Sequence, residues 1–598
     1  MKKLRLSKNL LSSLFLLVVA LVICVPLWLH GTIWGHDLGF HLYRFAGLEN
    51  AIRGGQIVPQ VDSELLYGAG YGFSLFYGPL AAYMALLGKI ISGGSWIWGV
   101  NLMIFGCVYG GGLAMAKMVN EISKKRYLGL MVAMVYMLAP YHLTDIYVRS
   151  AFGELPTFFL APMLWLGLWR LIEKKEKYLL WTVLGMAGML LSHNLSVFIF
   201  GLIAGGYLLI NIKKLLYIKV INRLLLSAVV ALGVSAFFWV PFGELKMASN
   251  YNIWQKNYQE VIMAQNGDFF NFGALTLRRL FWDDKVTGGA SNVMAFGIGL
   301  AAMAGLVGFW PLSKKMEKEE RDLGRAMWIL GVGSMLLTTN LIPWERMPSV
   351  FYMMQFPWRM LLAGSFCLSI VAGLVIYYLW SLVPRQREAV MAGAIWVTLG
   401  VLLLGSSKYL VYALEPDWTM REWRHDYKKD KWGTAQNSWM TQYVPVKMNR
   451  VEVNMGADRL VESMEEWLRD KGPEVVGGGG AIIGAEGRGM ERKGLRMKML
   501  LLAGEGTQEV ELPLAYYPGY KSNMGEVGES ENGLVLVRIE GMEWGETREL
   551  EVWYGMSRGT VVGLVISLGT VVVLGVNFPK SVFSSQLRKS SIKKSLCV

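Results

Sequence analysis

Cysteine and charge are both scarce in this 598-residue chain. The four cysteines form no Cys-x-x-Cys pair, which argues against a disulfide framework, a redox motif and a cysteine-based zinc site. Charged residues make up 17% of the chain and hydrophobic residues 54%. A soluble protein of this length carries more charge, so the composition favours a polytopic membrane protein.

The formal net charge of +14 comes from short cationic runs beside apolar segments. Such runs are typical of the cytoplasmic side of a membrane protein. They are not interleaved with base-stacking aromatic residues, and the sequence has no nucleic-acid-binding motif. We therefore expect no nucleic-acid partner.

The first cationic run, from Lys2 to Lys8, precedes about twenty apolar residues without a small-x-small cleavage site. We expect an uncleaved first span rather than a signal peptide. Placing every cationic run in the cytoplasm predicts twelve spans. They lie at about residues 10–29, 96–119, 127–141, 154–172, 178–192, 195–211, 222–242, 293–311, 326–342, 358–381, 389–408 and 559–577.

This topology predicts a multi-pass protein of the cytoplasmic membrane with both termini in the cytoplasm. It requires that the apolar segment at about 75–91, which Gly78-Pro79 interrupts, does not cross the membrane, and we expect a re-entrant segment or a helix on the membrane surface. A full crossing is the alternative. It would place the cationic run Lys124–Arg126 outside, against the charge rule.

Three regions follow from this arrangement. Residues 1–411 form a polytopic membrane domain with a first exterior loop at about 30–95, residues 412–557 a soluble exterior domain, and residues 558–598 the last span and a basic tail. Alternating patterns predict strands at 495–503, 509–517, 534–540 and 549–554, and hence a small β-sandwich after a linker at Gly477–Gly480. Residues 457–470 have the pattern of an amphipathic helix. The tryptophans of the exterior domain either stack on sugars or pack against the membrane domain; they are Trp418, Trp423, Trp432 and Trp439.

Unusual polar residues gather at the exterior face. In the first loop, Asp37, His41 and Arg44 are spaced i, i+4 and i+7, so a helix places them on one face. His36 precedes them, and Tyr77 follows in the segment near residue 78. Such a polar face at a lipid boundary is costly unless it meets polar groups, water or a charged substrate.

A second set lies at the end of the third span, where His142, Asp145 and Arg149 are spaced i, i+3 and i+7, and Glu154 follows. His193 ends the fifth span on the same side, and the sequence Gln355-Phe-Pro-Trp-Arg359 opens the tenth. The convergence of these separate segments predicts a site at the exterior face, although each group also has a structural interpretation as an interface anchor or an intramembrane polar contact.

Taken in order, these segments resemble a known family. They are Gly-x-Asp-x-x-x-His-x-x-Arg, Tyr67-Gly-Ala-Gly-Tyr71, Phe76-Tyr-Gly-Pro-Leu80, Pro140-Tyr-x-x-x-Asp-x-Tyr-x-Arg149 with Gly153-Glu154, Ser-His-Asn and Gln-Phe-Pro-Trp-Arg. The series resembles the bacterial membrane proteins called "6-pyruvoyl-tetrahydropterin synthase-related". More broadly, it is similar to GT-C glycosyltransferases and to membrane proteins of the lipoteichoic-acid-glycosylation type. Nothing in the sequence supplies the small zinc-dependent domain of a pterin synthase.

The resemblance, over about residues 10–410, implies a GT-C fold of about twelve spans. It also implies transfer of a sugar from a polyprenyl-phosphate carrier to a cell-envelope glycan or glycolipid. Asp37 matches the acidic residue that acts as base on the acceptor, and Arg44, Arg149 and Arg359 would hold the carrier phosphate. Many members carry paired acids where this chain has His36-Asp37. No cofactor is therefore assigned, and a divalent metal requirement stays open.

Other interpretations remain at this point. Asp37 can instead cap a helix or pair with Arg44, and the i, i+5 spacing of His36 and His41 is poor for two metal ligands on one helix. A transporter or lipid flippase would use the His and Asp groups as a proton relay, near the bilayer middle and with broken helices. A non-catalytic envelope scaffold would need only the exterior domain.

Overall fold

The computed structural model describes residues 7–172, 179–254, 273–282, 294–383, 388–414, 419–421, 443–448, 467–468, 471–483 and 490–577. Several features predicted from sequence lie outside these residues: the four tryptophans at 418–439, the basic tail and nearly all of the helix at 457–470. The predictions for these features therefore stay predictions.

Helices account for most of the first 413 residues. They are α1 (Lys8–Ile23), α2 (Val25–His30), α3 (Leu38–Arg53), α4 (Phe73–Phe76), α5 (Leu80–Ile91), α6 (Trp96–Ser123), α7 (Arg126–Met137), α8 (Pro140–Thr144), α9 (Thr157–Ile172), α10 (Leu179–Ser192), α11 (Asn194–Ile210), α12 (Ile212–Leu215), α13 (Ile218–Val234), α14 (Ala236–Ala248), α15 (Leu277–Phe281), α16 (Leu300–Ser313), α17 (Lys318–Leu336), α18 (Leu361–Ser381) and α19 (Glu388–Ala413). The last helix, α20 (Arg558–Asn577), follows the β domain.

Each predicted span contains a helix, because long apolar stretches satisfy their backbone groups internally in this form. Within the described residues, four helices (α6, α18 with its preceding turn, α19 and α20) are long and apolar enough to cross a membrane, and up to six if two bent pairs each count as one span. One pair is α7 with the helix after it, bent by 42°; the other is α13 with α14, bent by 76°. The predicted number of twelve crossings stays a prediction.

The segment predicted to turn back contains α5, which packs along α6. A Cβ atom added to Gly88 would lie 2.5 Å from the carbonyl oxygen of Gly99, so the two helices approach more closely there than a larger side chain permits. The twelve residues of α5 rise about 18 Å, less than the hydrocarbon core of about 30 Å. Its side of entry stays a prediction.

The domain that the sequence predicts to be exterior, called the β domain below, contains two antiparallel sheets, as predicted. Its strands are β3 (Glu474–Gly477), β4 (Ala481–Ile483), β5 (Met490–Lys493), β6 (Arg496–Leu502), β7 (Gln508–Ala515), β8 (Tyr520–Ser522), β9 (Glu526–Glu529), β10 (Leu534–Ile539) and β11 (Thr547–Tyr554), while β1 (Thr32–Ile33) pairs with β2 (Thr419–Met420) elsewhere. One sheet has the order β3-β7-β10-β9 and the other β4-β6-β11-β8, with β5 paired to β6.

The glycine run predicted as a linker is instead a tight connection inside this domain. It joins β3 of one sheet to β4 of the other, and Gly478 and Gly479 have φ values of +83° and +63°. A Cβ on Gly478 would lie 2.3 Å from the carbonyl oxygen of Thr507. Glycine is needed there for the backbone conformation and for the close approach, rather than for flexibility between domains.

The β domain shares its hydrophobic core with the first exterior loop. Tyr43, Val61 and Phe73 are buried in the same cluster as Leu512 and Val537 of the sheets. The backbone of the loop also joins the domain, since the amide of Ala515 donates a 2.8 Å hydrogen bond to the carbonyl oxygen of Ala69. The loop that carries the first polar motif is therefore held between the helices and the sheets.

Candidate functional site

The first polar motif begins where the chain leaves β1 and packs against the segment after α8. The amide of His36 donates to the carbonyl oxygen of Val148 at 3.1 Å, and that of Asp37 to the carbonyl oxygen of Arg149 at 2.8 Å. A Cβ on Gly35 would lie 2.3 Å from Oγ of Ser150, so only glycine permits this approach. The backbone thus brings together two motifs that lie about 110 residues apart.

Asp37 is half-buried and directly precedes α3. Its side chain makes no capping hydrogen bond, although its carbonyl oxygen accepts one from the amide of His41. Among the described residues it forms no ion pair with Arg44. Among the described residues the carboxylate of Asp37 therefore neither caps α3 nor pairs with Arg44. It is available to a ligand.

His36 and His41 differ in their surroundings. His36 is exposed, whereas His41 is buried and its ring lies 5.3 Å from that of Phe152. Burial, and then the charge of Arg44, hold the pKa of His41 well below its usual value. His41 is therefore neutral near pH 7.

Arg44 is only 1% exposed. Its Cζ atom lies 3.9 Å from the centre of the Tyr77 ring, and its Nη1 is 3.5 Å from the carbonyl oxygen of Gly78. Burial lowers its pKa to about 10, so it remains charged at neutral pH. Desolvation raises the pKa of the half-buried Tyr77 to about 12, which keeps its hydroxyl protonated.

Arg149 lies at the centre of a buried ion-pair cluster. A π-helical turn, Asp145–Arg149, follows α8, and Nη1 of Arg149 contacts Oδ1 of Asp145 at 2.6 Å and Oε1 of Glu154 at 3.0 Å. The hydroxyl of Tyr141 donates to the other oxygen of Glu154 at 3.1 Å. The guanidinium of Arg149 also lies 4.6 Å from the centre of the Trp358 ring.

Arg359 joins this cluster from the short 3-10 turn Pro357–Met360, which directly precedes α18. Its Nη1 lies 3.5 Å from Oε1 of Glu154. Glu154 therefore links two cations that are separated by more than 200 residues of sequence.

His193 lies between α10 and α11, where Tyr77 and its neighbours pack. Its ring is 5.4 Å from that of Tyr77, and its Nδ1 is 3.0 Å from Oγ of Ser196. The hydroxyl of Ser192 donates to the carbonyl oxygen of Gly153 at 2.7 Å. A Cβ on Gly153 would lie 2.2 Å from Oη of Tyr77, so this glycine makes room for the tyrosine.

His142 does not join the other predicted residues. Its ring stacks on Phe158 at 3.7 Å and meets Tyr136 at 4.4 Å, inside the helical core. The structure thus gathers Asp37, His41, Arg44, Tyr77, Asp145, Arg149, Glu154, His193 and Arg359 around one region, with His36 exposed beside it.

Sequence reasoning did not single out Tyr141 and Trp358, which contact the ion-pair cluster directly. Both lie inside motifs identified in the sequence: Tyr141 is four residues before Asp145, and Trp358 directly precedes Arg359. This closeness in sequence is the signal that could have identified them. In the described part of the chain, no group of three His, Cys, Asp or Glu side chains is arranged to hold a metal ion.

The family comparison agrees with the motifs. Residues 75–264 match the model of the "6-pyruvoyl-tetrahydropterin synthase related domain; membrane protein", which confirms the predicted resemblance over this range. Asp37 and Arg359 lie outside the matched residues. With the long apolar helices, this match identifies the chain as a multi-pass membrane protein.

An uncharacterized protein of Lactococcus lactis subsp. cremoris (strain MG1363) is 26% identical over 247 residues. The match spans 40% of this chain and 40% of that relative. The relative's name assigns no activity.

Solved structures with partial similarity are glycosyltransferases, as the GT-C resemblance implied. Arabinofuranosyltransferase AftD from Mycobacteria has a TM-score of 0.41 at 16% identity, over 69% of this chain and 27% of its own. ArnT from Cupriavidus metallidurans bound to undecaprenyl phosphate has a TM-score of 0.38 at 15% identity, over 67% and 74%. The Archaeoglobus fulgidus oligosaccharyltransferase has a TM-score of 0.38 at 12% identity, over 71% and 57%.

Proposed function

We propose that this protein is a membrane glycosyltransferase. It moves a sugar from a polyprenyl-phosphate carrier to a cell-envelope glycan or glycolipid on the exterior face of the cytoplasmic membrane. The observation that carries the proposal is the carboxylate of Asp37, which makes no capping bond and no ion pair among the described residues, next to a buried group of three guanidinium cations.

Asp37 is the general base in this proposal. An acceptor hydroxyl attacks the anomeric carbon of the sugar, its proton passes to the Asp37 carboxylate, and the carbon–oxygen bond to the carrier phosphate breaks. The phosphate leaves with the bonding electrons. A half-buried carboxylate at the edge of the site can reach an acceptor that arrives from the exterior and can take its proton.

The guanidinium groups of Arg44, Arg149 and Arg359 supply the positive charge that complements the negative charge of the carrier phosphate. The departing phosphate gains negative charge as the bond breaks, and positive groups already fixed in place stabilise it without reorganising. Their burial, between 1% and 9% exposed, strengthens this interaction relative to water. The neutral His41 and His193 and the hydroxyl of Tyr77 line the same region as hydrogen-bonding groups.

The β domain has a part in this function because it shares a core with the first exterior loop. The buried residues that it shares with that loop, among them Tyr43 of α3, hold the sheets next to the segment that begins at Asp37. We propose that this surface orients the acceptor. The segment near Tyr77 and Gly78 forms the side at which the lipid carrier enters.

A transporter or flippase is the second candidate, favoured by the bends of 42° and 76° in two helix pairs. Broken helices often build transport sites. A proton relay, however, needs acids that change protonation during the cycle, whereas Asp145 and Glu154 both lie in ion pairs with Arg149. Reconstituted liposomes containing a pH-sensitive dye test this candidate: proton flux that depends on Asp145 would favour it over the transferase.

The transferase is tested in cells that carry the wild-type chain, Asp37→Asn, Glu64→Gln or no copy. Glu64 is an exposed acid of the same loop and serves as the matched control. We expect Asp37→Asn, expressed at the wild-type level, to lose a sugar from the surface glycans and to accumulate its lipid-linked form, as the deletion does. Glu64→Gln should match the wild type. A normal glycan profile in Asp37→Asn would refute the role of Asp37 as base.

A further inference from the structure

A cavity of about 750 Å³ lies between α18 and α19, outside the polar site. These consecutive helices pack mainly against other helices: α18 against α7, α16 and α17, and α19 against α7. Near the end of α18, Nε1 of Trp380 donates a 3.2 Å hydrogen bond to Oγ1 of Thr398 in α19. Farther along α19, Oγ of Ser406 donates to the carbonyl oxygen of Leu138 at 3.2 Å. The two bonds hold α19 in position and leave a groove along α18, called the α18–α19 groove below.

The α18–α19 groove is apolar over nearly all of its length. Leu368 and Ile376 of α18 line it together with Val401 and Leu402 of α19. Val401 is 57% exposed in the isolated chain. Apolar surface of this kind favours contact with hydrocarbon over contact with water. In a protein of the membrane, the groove is therefore suited to a lipid chain.

The groove has the length of the hydrocarbon in one leaflet. Ten residues separate Thr398 from Lys408, which is a rise of about 15 Å along α19. The hydrocarbon core of a bilayer is about 30 Å thick, so one leaflet contributes about 15 Å. A single lipid chain can therefore extend from Thr398 to Lys408 without leaving its leaflet.

The polar end of the groove is marked by a cation and an indole. Among the described residues that line the groove, Lys408 alone is charged. Trp282, which is 69% exposed, also lines it. Lysine and tryptophan are both typical of the boundary between hydrocarbon and headgroups. An apolar channel with one cation at its end complements an amphiphile that has a hydrocarbon chain and a negative headgroup.

Glycine keeps the groove open on the side of α19. Gly405 lines it, and a Cβ atom added to this residue would meet no atom within 4 Å. The space beside the helix is therefore real room rather than a gap between packed side chains. A hydrocarbon chain that enters it gains contacts with both helices.

We propose that the α18–α19 groove binds one anionic phospholipid of the bilayer, with an acyl chain between the helices and the phosphate headgroup at Lys408. Arg44, Tyr77 and Arg359 do not line the groove, so a lipid bound in this way is not the sugar carrier of the function proposed above. The inference does not depend on that function. The lipid meets the polar site only indirectly, since Pro140 lines the groove and directly precedes Tyr141.

Lipid binding by the purified and delipidated full-length protein tests the proposal. The probes are phosphatidylglycerol, phosphatidylcholine with the same acyl chains, undecaprenyl phosphate and glycerol phosphate, and native mass spectrometry counts the bound molecules. We expect phosphatidylglycerol to bind about fivefold more tightly than phosphatidylcholine, because one lysine near an anionic headgroup has about this effect. Glycerol phosphate should not bind, since it has no chain to fill the groove.

Gly405→Phe places a ring inside the groove and should weaken the binding of phosphatidylglycerol at least tenfold. Gly400→Phe is the matched control. A Cβ atom on Gly400 also meets no atom within 4 Å, but this residue of the same helix does not line the groove, so binding should be unchanged. Phenylalanine favours a helix more than glycine does, so neither change opposes the helical backbone. Lys408→Met should keep the chain site and lose the preference for phosphatidylglycerol.

Three results would overturn the proposal. Wild-type affinity for phosphatidylglycerol in Gly405→Phe would place the lipid elsewhere on the protein. A preference for phosphatidylglycerol that survives in Lys408→Met, or that is absent from the wild type, would remove the headgroup from Lys408, and this arm holds even if Gly405→Phe does not fold. Undecaprenyl phosphate that binds more tightly than phosphatidylglycerol, and is lost in Gly405→Phe, would assign the groove to the carrier lipid.

The proposed function can fail without this inference. A protein that binds phosphatidylglycerol in the groove, with the expected losses in Gly405→Phe and Lys408→Met, but transfers no sugar would refute only the transferase.

Discussion

Nη1 of Arg149 lies 3.0 Å from Oε1 of Glu154, and both side chains are almost fully buried. Because Glu154 also accepts a hydrogen bond from Tyr141 and faces Arg359, one carboxylate fixes the orientation of groups from separate segments. Two cations near each other repel unless an anion lies between them. Glu154 therefore makes it possible for Arg149 and Arg359 to occupy one site.

The first prediction concerns Glu154→Gln. This change keeps the shape of the side chain but removes the charge that balances Arg149 and Arg359. Breaking a buried pair in this way leaves an uncompensated charge and costs about 3–5 kcal/mol of unfolding free energy. Chemical unfolding in detergent measures the loss.

Glu388→Gln is the control for this prediction. Glu388 pairs with Lys8 at the surface, where both side chains are more than 60% exposed, so its replacement should leave the unfolding free energy unchanged within the resolution of the measurement. Equal losses in the two variants would show that the burial of the Glu154 ion pairs adds nothing to stability.

The second prediction concerns Gly153, against which the Tyr77 side chain packs. In Gly153→Ala the new methyl group would lie 2.2 Å from Oη of Tyr77, so the tyrosine must shift, and its present contacts with Arg44 and His193 are disturbed. We expect the transfer of sugar to the surface glycan to fall at least tenfold while the protein still folds. The rate of sugar transfer by purified protein measures this effect.

Gly110→Ala provides a matched change, because a Cβ on this helical glycine meets its first neighbour at 3.6 Å, an ordinary contact distance. It should retain the wild-type rate. If Gly153→Ala also retained that rate, the position of Tyr77 would be irrelevant to the reaction.

The sequence predicted the apolar helices and the four longest strands of the β domain, because their signals are local, but it did not predict the shorter strands β3, β4, β5, β8 and β9. The strand predicted at 534–540, for example, is observed at Leu534–Ile539, and the apolar span at 96–119 lies within α6. Hydrophobic periodicity depends only on neighbouring residues, so it can be recognised without knowledge of the tertiary structure.

The arrangement of the second polar motif was less predictable. An ideal helix places His142, Asp145 and Arg149 on one face, but a π-helical turn begins at Asp145 and changes the direction of the side chains after it. Arg149 reaches Asp145, while His142 stacks on Phe158. No residue pattern in this segment predicts a π-helical turn. The apolar and charged motifs were visible in the sequence, but their mutual contacts depend on long-range packing.

The third prediction is a dependence of stability on pH that comes from His41. Its pKa in the folded protein is well below its usual value of 6.5, which we take for the unfolded chain. Below about pH 6.5 the unfolded chain therefore binds a proton that the folded protein does not. The stabilisation by neutral His41 is fully present above that pH and is lost as the pH falls, by up to about 2 kcal/mol between pH 6.5 and 5.

His41→Met removes this titration and keeps an apolar side chain of similar length. The difference in unfolding free energy between pH 7.5 and pH 5 should therefore be smaller in the variant than in the wild type. The measurement is the unfolding free energy of the wild type and of His41→Met in detergent at the two pH values. Identical pH dependence in both proteins would mean that His41 has an ordinary pKa in the folded state.

The fourth prediction concerns the shared core of the first exterior loop and the β domain. Leu512 in β7 is completely buried in the cluster that also contains Val61 and Phe73 of the loop. Leu512→Ala leaves a cavity and costs about 2–5 kcal/mol. Because the loop depends on this core, the damage should extend to residues 54–79, more than 400 positions away in sequence.

Limited proteolysis of the purified protein measures that spread. We expect cleavage within residues 54–79 to be faster in Leu512→Ala than in the wild type, and sugar transfer to fall with it, since the same loop leads from α3 to Tyr77. Leu500→Ala is the control: Leu500 lies in the neighbouring sheet but is 38% exposed, so the change should leave the loop protected. If Leu512→Ala destabilised the sheets without exposing the loop, the β domain would be a separate module. Its influence on the site would then require direct contact with the acceptor rather than support of the loop.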